Sequence, residues 1–278
     1  MERIKQALDK QARLNSGKSL WSARQISSSQ HVRHETAGVQ IQDELDNVRY
    51  KQTRVVKLSA EHLEKNQIVA FNKNNAMSMN FDLLRTMVLK KMDEKGWRTL
   101  AITSPTPESG KTVVAINLAM SIAQQTNKTA MLVDFDLRRP KVGTYLGIPM
   151  TKSLNELLEG TAELKEVLIN PDFPRLVVLP TRNKIKKSSE TLSSRKIADL
   201  IGDLRDRYES RIIIFDLPPV LIIDDTLALL PQIDCVLLVV ANGMSTKQEI
   251  EDSLLLIPAD KLIGTVLNKV EIEKRDYY

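Results

Sequence analysis

A mostly parallel, twisted α/β sheet with helices on both faces is the fold class this sequence predicts. The 278 residues are 42% hydrophobic but only 4% aromatic, so the core must be built from Leu, Ile, Val and Ala, as in parallel sheets covered on both sides. From residue 97 onward, short uninterrupted apolar runs alternate with stretches of helical character. The loops richest in Gly, Pro and Asp follow the C-terminal ends of those runs, where open α/β sheets keep their sites.

At the N-terminus, Ile4, Leu8 and Ala12 recur at helical spacing within Met1–Leu14. Asn15–Gly38 is rich in Ser, Gln, Arg and His and almost free of apolar residues, which predicts a flexible linker. Thr53–Leu58 reads as a short strand leading into a helix capped by Ser59, with Glu61 and Glu64 close to its start. Phe81–Met92 reads as an amphipathic helix ending before Gly96. The expected strands are then Trp97–Thr103, Thr129–Asp134, Arg175–Leu179, Ile212–Asp216, Cys235–Ala241 and Leu262–Leu267. Between them the expected helices are Thr112–Gln124, Leu154–Leu158, Ser193–Tyr208 and Lys247–Leu256. The organisation is a basic N-terminal helix and flexible arm over residues 1–75, a main domain over 76–270 and a short tail over 271–278.

Charge follows this partition. Residues 1–75 hold 13 Lys/Arg against 8 Asp/Glu, which is the whole net charge of +5, while residues 76–278 hold 27 of each. A basic arm reads either as a solvated segment or as one weakly drawn to an anionic membrane surface. No basic stripe with interleaved aromatics points to nucleic acid. The lone Cys235 sits in an apolar run and excludes an internal disulfide, and His31, His34 and His62 are too scattered for a zinc site. Met1–Leu20 is charged throughout and lacks the apolar core of a secretory signal, and no apolar run is long enough to span a bilayer. The expected location is the cytoplasm, with peripheral contact at the inner face of the membrane through a partner.

The chemistry-bearing segment is Ser104-Pro-Thr-Pro-Glu-Ser-Gly-Lys-Thr112, between an apolar strand and a helix. A strand, a turn-rich loop, Gly-Lys-Thr and a helix make a P-loop, which predicts binding of ATP and Mg²⁺. Ser109, Gly110, Lys111, Thr112 and Val113 would cradle phosphate at the helix N-terminus, Lys111 would reach the β- and γ-phosphates and Thr112 would ligate Mg²⁺. Pro105 stands where the usual pattern has its first glycine. Two further strand ends carry carboxylates, Asp134 and Asp136 in one and Asp216 in the other. Residues two apart on a strand share a side, so Asp134 and Asp136 can both face the nucleotide.

The trio of Ser104–Thr112, Val133-Asp-Phe-Asp-Leu-Arg-Arg-Pro140 and Phe215-Asp-Leu-Pro-Pro219 resembles the bacterial tyrosine kinases, P-loop enzymes that regulate capsule and exopolysaccharide export. The likeness is greatest to the autokinases encoded beside exosortase and PEP-CTERM exopolysaccharide loci. Leu84-Arg-Thr86 and Gly264-Thr-Val-Leu-Asn-Lys269 share in it, and so does the helical start Met1–Lys10. The resemblance implies that Lys111 contacts phosphate, that Thr112, Asp136 and Asp216 make the metal shell, and that Asp134 is the base or orienter of the attacking tyrosine hydroxyl. Asn268 matches the position that recognises the nucleotide base in related ATPases, and it could equally satisfy a turn. Tyr277 and Tyr278 would be the phosphoacceptors. A membrane-embedded chain-length regulator would be the activating partner, and self-association is a family habit.

The sequence departs from that family in places. Glu108 and Ser109 precede Gly110 where the family loop commonly runs Pro-Gly-Glu-Gly-Lys, so a glycine is missing. The family's oligomerising helix carries Glu-x-x-Arg-x-x-Arg, and the matching positions here are Met79, Asp82 and Arg85. Arg182-Asn-Lys-Ile-Lys-Lys187 is unusually basic, either as a solvated loop or as a contact for phosphate or an acidic partner. Two rival functions share the fold, an ATPase switch of the septum-positioning or chromosome-partitioning type and an ATP-binding pseudokinase. No lysine precedes Lys111 in the loop, which favours the kinase over the switch.

Overall fold

A computed structural model describes residues 53–271 apart from residue 126. The expected helix Met1–Leu14, the linker Asn15–Gly38 and the tail tyrosines Tyr277 and Tyr278 lie outside the described residues. Eight strands, β1 (Arg54–Val55), β2 (Thr99–Thr103), β3 (Thr129–Asp134), β4 (Ile169–Asn170), β5 (Leu176–Leu179), β6 (Arg211–Asp216), β7 (Cys235–Ala241) and β8 (Leu262–Asn268), form one sheet in the order β1-β4-β5-β3-β6-β2-β7-β8. Every pairing is parallel except β4 with β5.

The central strands are buried along their whole length, which is why they read as continuous apolar runs rather than alternating ones. Their side chains still divide by parity. Leu100, Ile102, Leu132, Ile212, Ile214 and Leu237 enter one core, whereas Met131, Val133, Ile213, Phe215, Val236 and Leu238 enter the other. The first core is covered by α1 (Ala60–Lys65), α2 (Ser78–Lys95), α3 (Lys111–Gln125) and α4 (Val142–Leu146), which supply Leu63, Met92, Leu118 and Leu146. The second is covered by α5 (Leu154–Glu159), α6 (Leu164–Val167), α7 (Ser188–Leu192), α8 (Arg195–Asp206) and α9 (Asp225–Leu229), which supply Leu154, Val167, Leu192, Ile201 and Leu229. Ile250 of α10 (Lys247–Leu256) packs on that second side as well.

The expected Ser59 cap is present: its hydroxyl accepts from the His62 N–H at the start of α1. The arm, however, ends earlier than the charge partition placed it. β1 pairs with β4, and Leu63, Ile68 and Ala70 are buried in the first core, so residues 54–70 belong to the folded domain. Asn117, buried in α3, holds that segment. Its Oδ1 accepts from the N–H groups of Val69 (2.7 Å) and Ala70 (2.9 Å), and its Nδ2 donates to the carbonyls of Gln67 (3.0 Å) and Val113 (2.9 Å). The expected strand at Trp97 starts at Thr99, where Asp234 Oδ2 accepts the N–H groups of both Arg98 and Thr99.

Register places the site. Asp134 lies opposite Asp216 on β3 and β6, and Ile102 lies opposite Asp216 on β2 and β6. The C-terminal ends of three neighbouring strands therefore open side by side, in front of the N-terminus of α3.

Candidate active site

The loop between β2 and α3 folds on its own polar groups. The hydroxyls of Ser104 and Ser109 both donate to the Thr106 carbonyl, at 2.8 and 3.0 Å. The loop is also tied to the segment after β6, where Val220 N–H donates to Ser104 O and Leu221 N–H to Pro105 O. Gly110 takes φ +86° and lies so close to Asn268 that an added Cβ would stand 2.1 Å from its Nδ2. Glu108, at the position of the missing glycine, also takes a left-handed φ of +65° and points into solvent. At the start of α3 the first N–H groups have no partner within the helix, which is what makes Lys111, Thr112 and Val113 suitable for holding phosphate.

Four predicted residues converge here. Lys111 Nζ donates to Asp136 Oδ2 at 2.8 Å and lies 3.5 Å from Asp216 Oδ1, while the Thr112 hydroxyl donates to Asp216 Oδ2 at 2.7 Å. Burial works against the charge on Lys111, but Asp216 and Asp136 more than offset it and hold the ammonium above its usual range. For Asp216 burial is the largest influence and pushes the carboxyl up, with Lys111 acting in the opposite direction.

Asp134 behaves differently from its neighbour two residues on. β3 ends at Asp134, and Phe135 turns into the second core to stack on Phe215 with ring centroids 5.1 Å apart. Asp134 is fully enclosed. Its Oδ1 accepts from Asp136 N–H (3.2 Å), and its Oδ2 accepts from the N–H groups of Lys141 (3.1 Å) and Val142 (3.0 Å). Burial, reinforced by the charge of Asp216, pushes its carboxyl well above the ordinary carboxylate range. Asp136 in turn accepts from Arg139 N–H at 3.0 Å, so the turn after β3 is organised by both carboxylates.

Asn268, expected to read a base, donates its amide to Ser109 O at 2.9 Å and so clasps the phosphate loop. Asn117 and the Thr103 hydroxyl, which donates to Pro218 O at 2.7 Å, also support this region and were not singled out in the sequence. The signal for Asn117 was available, a carboxamide in the run Val113–Ala123, where Ser121 is the one other polar residue.

The oxygen donors fit a hard divalent cation: one hydroxyl, Thr112, and two carboxylates, Asp136 and Asp216, on one side of the loop. Asp134 and Asp216 are both pushed up, chiefly by burial, and neighbouring carboxylate charge adds to the shift, a charge that a cation would relieve.

A family profile described as an AAA domain matches residues 98–263. The tyrosine-protein kinase CpsD of Streptococcus pneumoniae is 32% identical over 183 residues, 65% of this chain and 79% of the relative. The kinase domain of the Escherichia coli tyrosine kinase ETK superimposes with a TM-score of 0.69 at 26% identity, over 81% of this chain and 91% of that one. The septum site-determining protein MinD of Pyrococcus horikoshii, solved with Mg-ADP, aligns over 61% of this chain and 69% of that one, with a TM-score of 0.51 and 21% identity, a likeness of fold alone.

Proposed function

This chain belongs to the bacterial tyrosine kinases of the AAA domain family, and from that membership we propose that it moves the γ-phosphoryl group of ATP onto tyrosine, Tyr277 and Tyr278 of its own kind included, within a polysaccharide export system. The observation that carries the reading is the meeting of Lys111, Thr112, Asp136 and Asp216 within hydrogen-bonding reach at three strand ends.

In the transfer a bond forms between the phenol oxygen and the γ-phosphorus and the β–γ bridging bond breaks, so positioning and charge neutralisation dominate. Gly110 and the first N–H groups of α3 hold the β-phosphate, and Ser109, Thr112 and Val113 line the same cradle. Lys111 leaves Asp136 to follow the charge that builds on the departing oxygen. Thr112, Asp136 and Asp216 would hold Mg²⁺, which would supply further charge neutralisation. Asp134 takes the phenol proton or fixes its direction, the role the family resemblance gives it, from a carboxyl that burial holds above the ordinary range and backbone N–H groups hold in place. Asn268 keeps the loop in place.

The proposed activator is a membrane-embedded chain-length regulator, the partner that the family resemblance implies. The test is to incubate the purified chain with labelled ATP and Mg²⁺ and to map phosphosites by mass spectrometry, with Lys111→Met beside it. Phosphotyrosine in the wild type and none in the variant is expected. ATP hydrolysis without any phosphotyrosine, even with an activator added, would turn the assignment toward the ATPase switch.

A further inference from the structure

The basic loop Arg182–Lys187 is built onto the site rather than hung in solvent. Asn155, buried in α5, accepts the N–H groups of Arg182 (3.1 Å) and Asn183 (2.9 Å) on Oδ1 and donates Nδ2 to the Asn183 carbonyl (2.9 Å). Ile185 N–H donates to Leu137 O at 2.9 Å, and the Ile185 side chain packs on the second core. That anchor turns the flanking Lys184 and Lys186 outward, where both are exposed. On the other side of the Ile185–Leu137 bond lie Arg139 and Lys141, also exposed, whose own N–H groups bond Asp136 and Asp134.

The charge here is unbalanced. Residues 137–141 and 182–187 carry seven basic side chains and no acidic one. Arg138, Arg182 and Lys187 have carboxylate partners in Asp225, Glu156 and Glu190. Arg139, Lys141, Lys184 and Lys186 make no ion pair among the described residues. A merely solvated lysine loop needs neither a buried carboxamide to shape it nor a backbone bond to the catalytic turn. Four exposed cations without an ion-pair partner among the described residues, on two segments joined by the Ile185–Leu137 bond beside the turn that holds Asp136, raise the local concentration of an anionic partner near the site.

We propose that Arg139, Lys141, Lys184 and Lys186 form a docking rim for the acidic segment of a protein substrate that flanks its acceptor tyrosine. This rests on the kinase reading and adds to it a substrate class. The test uses the full chain and its Lys184→Glu/Lys186→Glu variant with two peptides, one with Asp and Glu around the tyrosine and one with Ser and Gly. ATP affinity, measured directly, should be the same in both proteins. The wild type should prefer the acidic peptide, and the variant should raise KM for that peptide about tenfold, with kcat and the neutral peptide unchanged. The preference should fade as salt is raised. Equal KM values for the two peptides in the wild type, or no change in the variant, would overturn the proposal. Binding of a fluorescent acidic peptide, followed by anisotropy, separates the two readings. If the wild type binds it and the variant does not, yet no tyrosine is phosphorylated, the rim stands and the kinase reading falls. If the variant instead loses binding to phosphatidylserine vesicles while keeping the peptide, the rim serves a membrane and the proposal is wrong.

Discussion

The side-chain amide of Asn268 donates to the backbone carbonyl of Ser109 at 2.9 Å, so the last strand of the sheet holds the phosphate loop from outside. Its amide is also the nearest atom to the place a Cβ on Gly110 would take. Gly110→Ala meets two obstacles, the overlap at 2.1 Å and a φ of +86°, the second alone costing roughly 1–2 kcal/mol. Nucleotide affinity should fall at least tenfold. Adding Asn268→Ala removes the overlap and leaves the φ penalty, so the double variant should regain part of the loss. A calorimetric double-mutant cycle reads this directly, and strict additivity would show that the two residues do not meet.

Glu108 sits at φ +65° without the freedom of glycine, while its carboxylate is exposed. Glu108→Gly should relieve the backbone at the cost of a more mobile unfolded chain, a net gain of up to about 1 kcal/mol. Glu108→Gln keeps the backbone cost and removes only the charge. Thermal melts of the three proteins separate the two effects. If the Gln variant gains as much stability as the Gly variant, the strain argument fails and charge is the cause.

Stability should fall as pH rises across the site's titration. Asp134 and Asp216 are both pushed above their ordinary value of 3.8, chiefly by burial, so over that window the native state holds protons the unfolded chain has released. The contribution is present below 3.8 and is lost as pH climbs through the raised native values. Asp82 and Glu156 are shifted downward and act in the opposite sense only near and below 3.8 and 4.5. Asp216→Asn should therefore flatten the pH slope of the melting temperature. An unchanged slope would locate the pH dependence elsewhere.

The sheet was legible because each central strand is a continuous apolar run and each ends in a loop whose residues cannot continue a strand. The site was legible for a related reason, since Gly110-Lys111-Thr112 and the two carboxylate-bearing strand ends are local patterns. What stayed hidden is what depends on long-range contact. Residues 54–70 share the basic character of the segment before them, and their apolar side chains follow no sustained period, so nothing local says that Leu63, Ile68 and Ala70 reach the core or that Asn117 grips the backbone there. Asp134 and Asp136 look equivalent at a spacing of two. They differ because β3 ends between them and Phe135 is drawn onto Phe215, which leaves one carboxylate facing backbone amides and the other facing Lys111.

That difference makes the last prediction. Asp136 shares Lys111 with Asp216, so Asp136→Asn should weaken Mg²⁺-dependent nucleotide binding and leave Mg²⁺-free binding almost unchanged. Asp134 touches neither Lys111 nor Thr112 by a hydrogen bond, and an Asn there can still accept from Lys141 and Val142, losing only the 3.2 Å bond from the Asp136 N–H. Asp134→Asn should keep ATP affinity within a few-fold and lower kcat by roughly 10²–10⁴, the usual range for losing a general base. The acidic limb of the pH–rate profile should vanish with it, since the group whose protonation sets that limb is gone. Direct ATP binding and saturating-substrate kinetics on both variants, with and without Mg²⁺, give the comparison. A variant at Asp134 that binds ATP poorly and transfers at the normal rate once saturated would exchange the two roles, making Asp134 the residue that holds the metal shell in place.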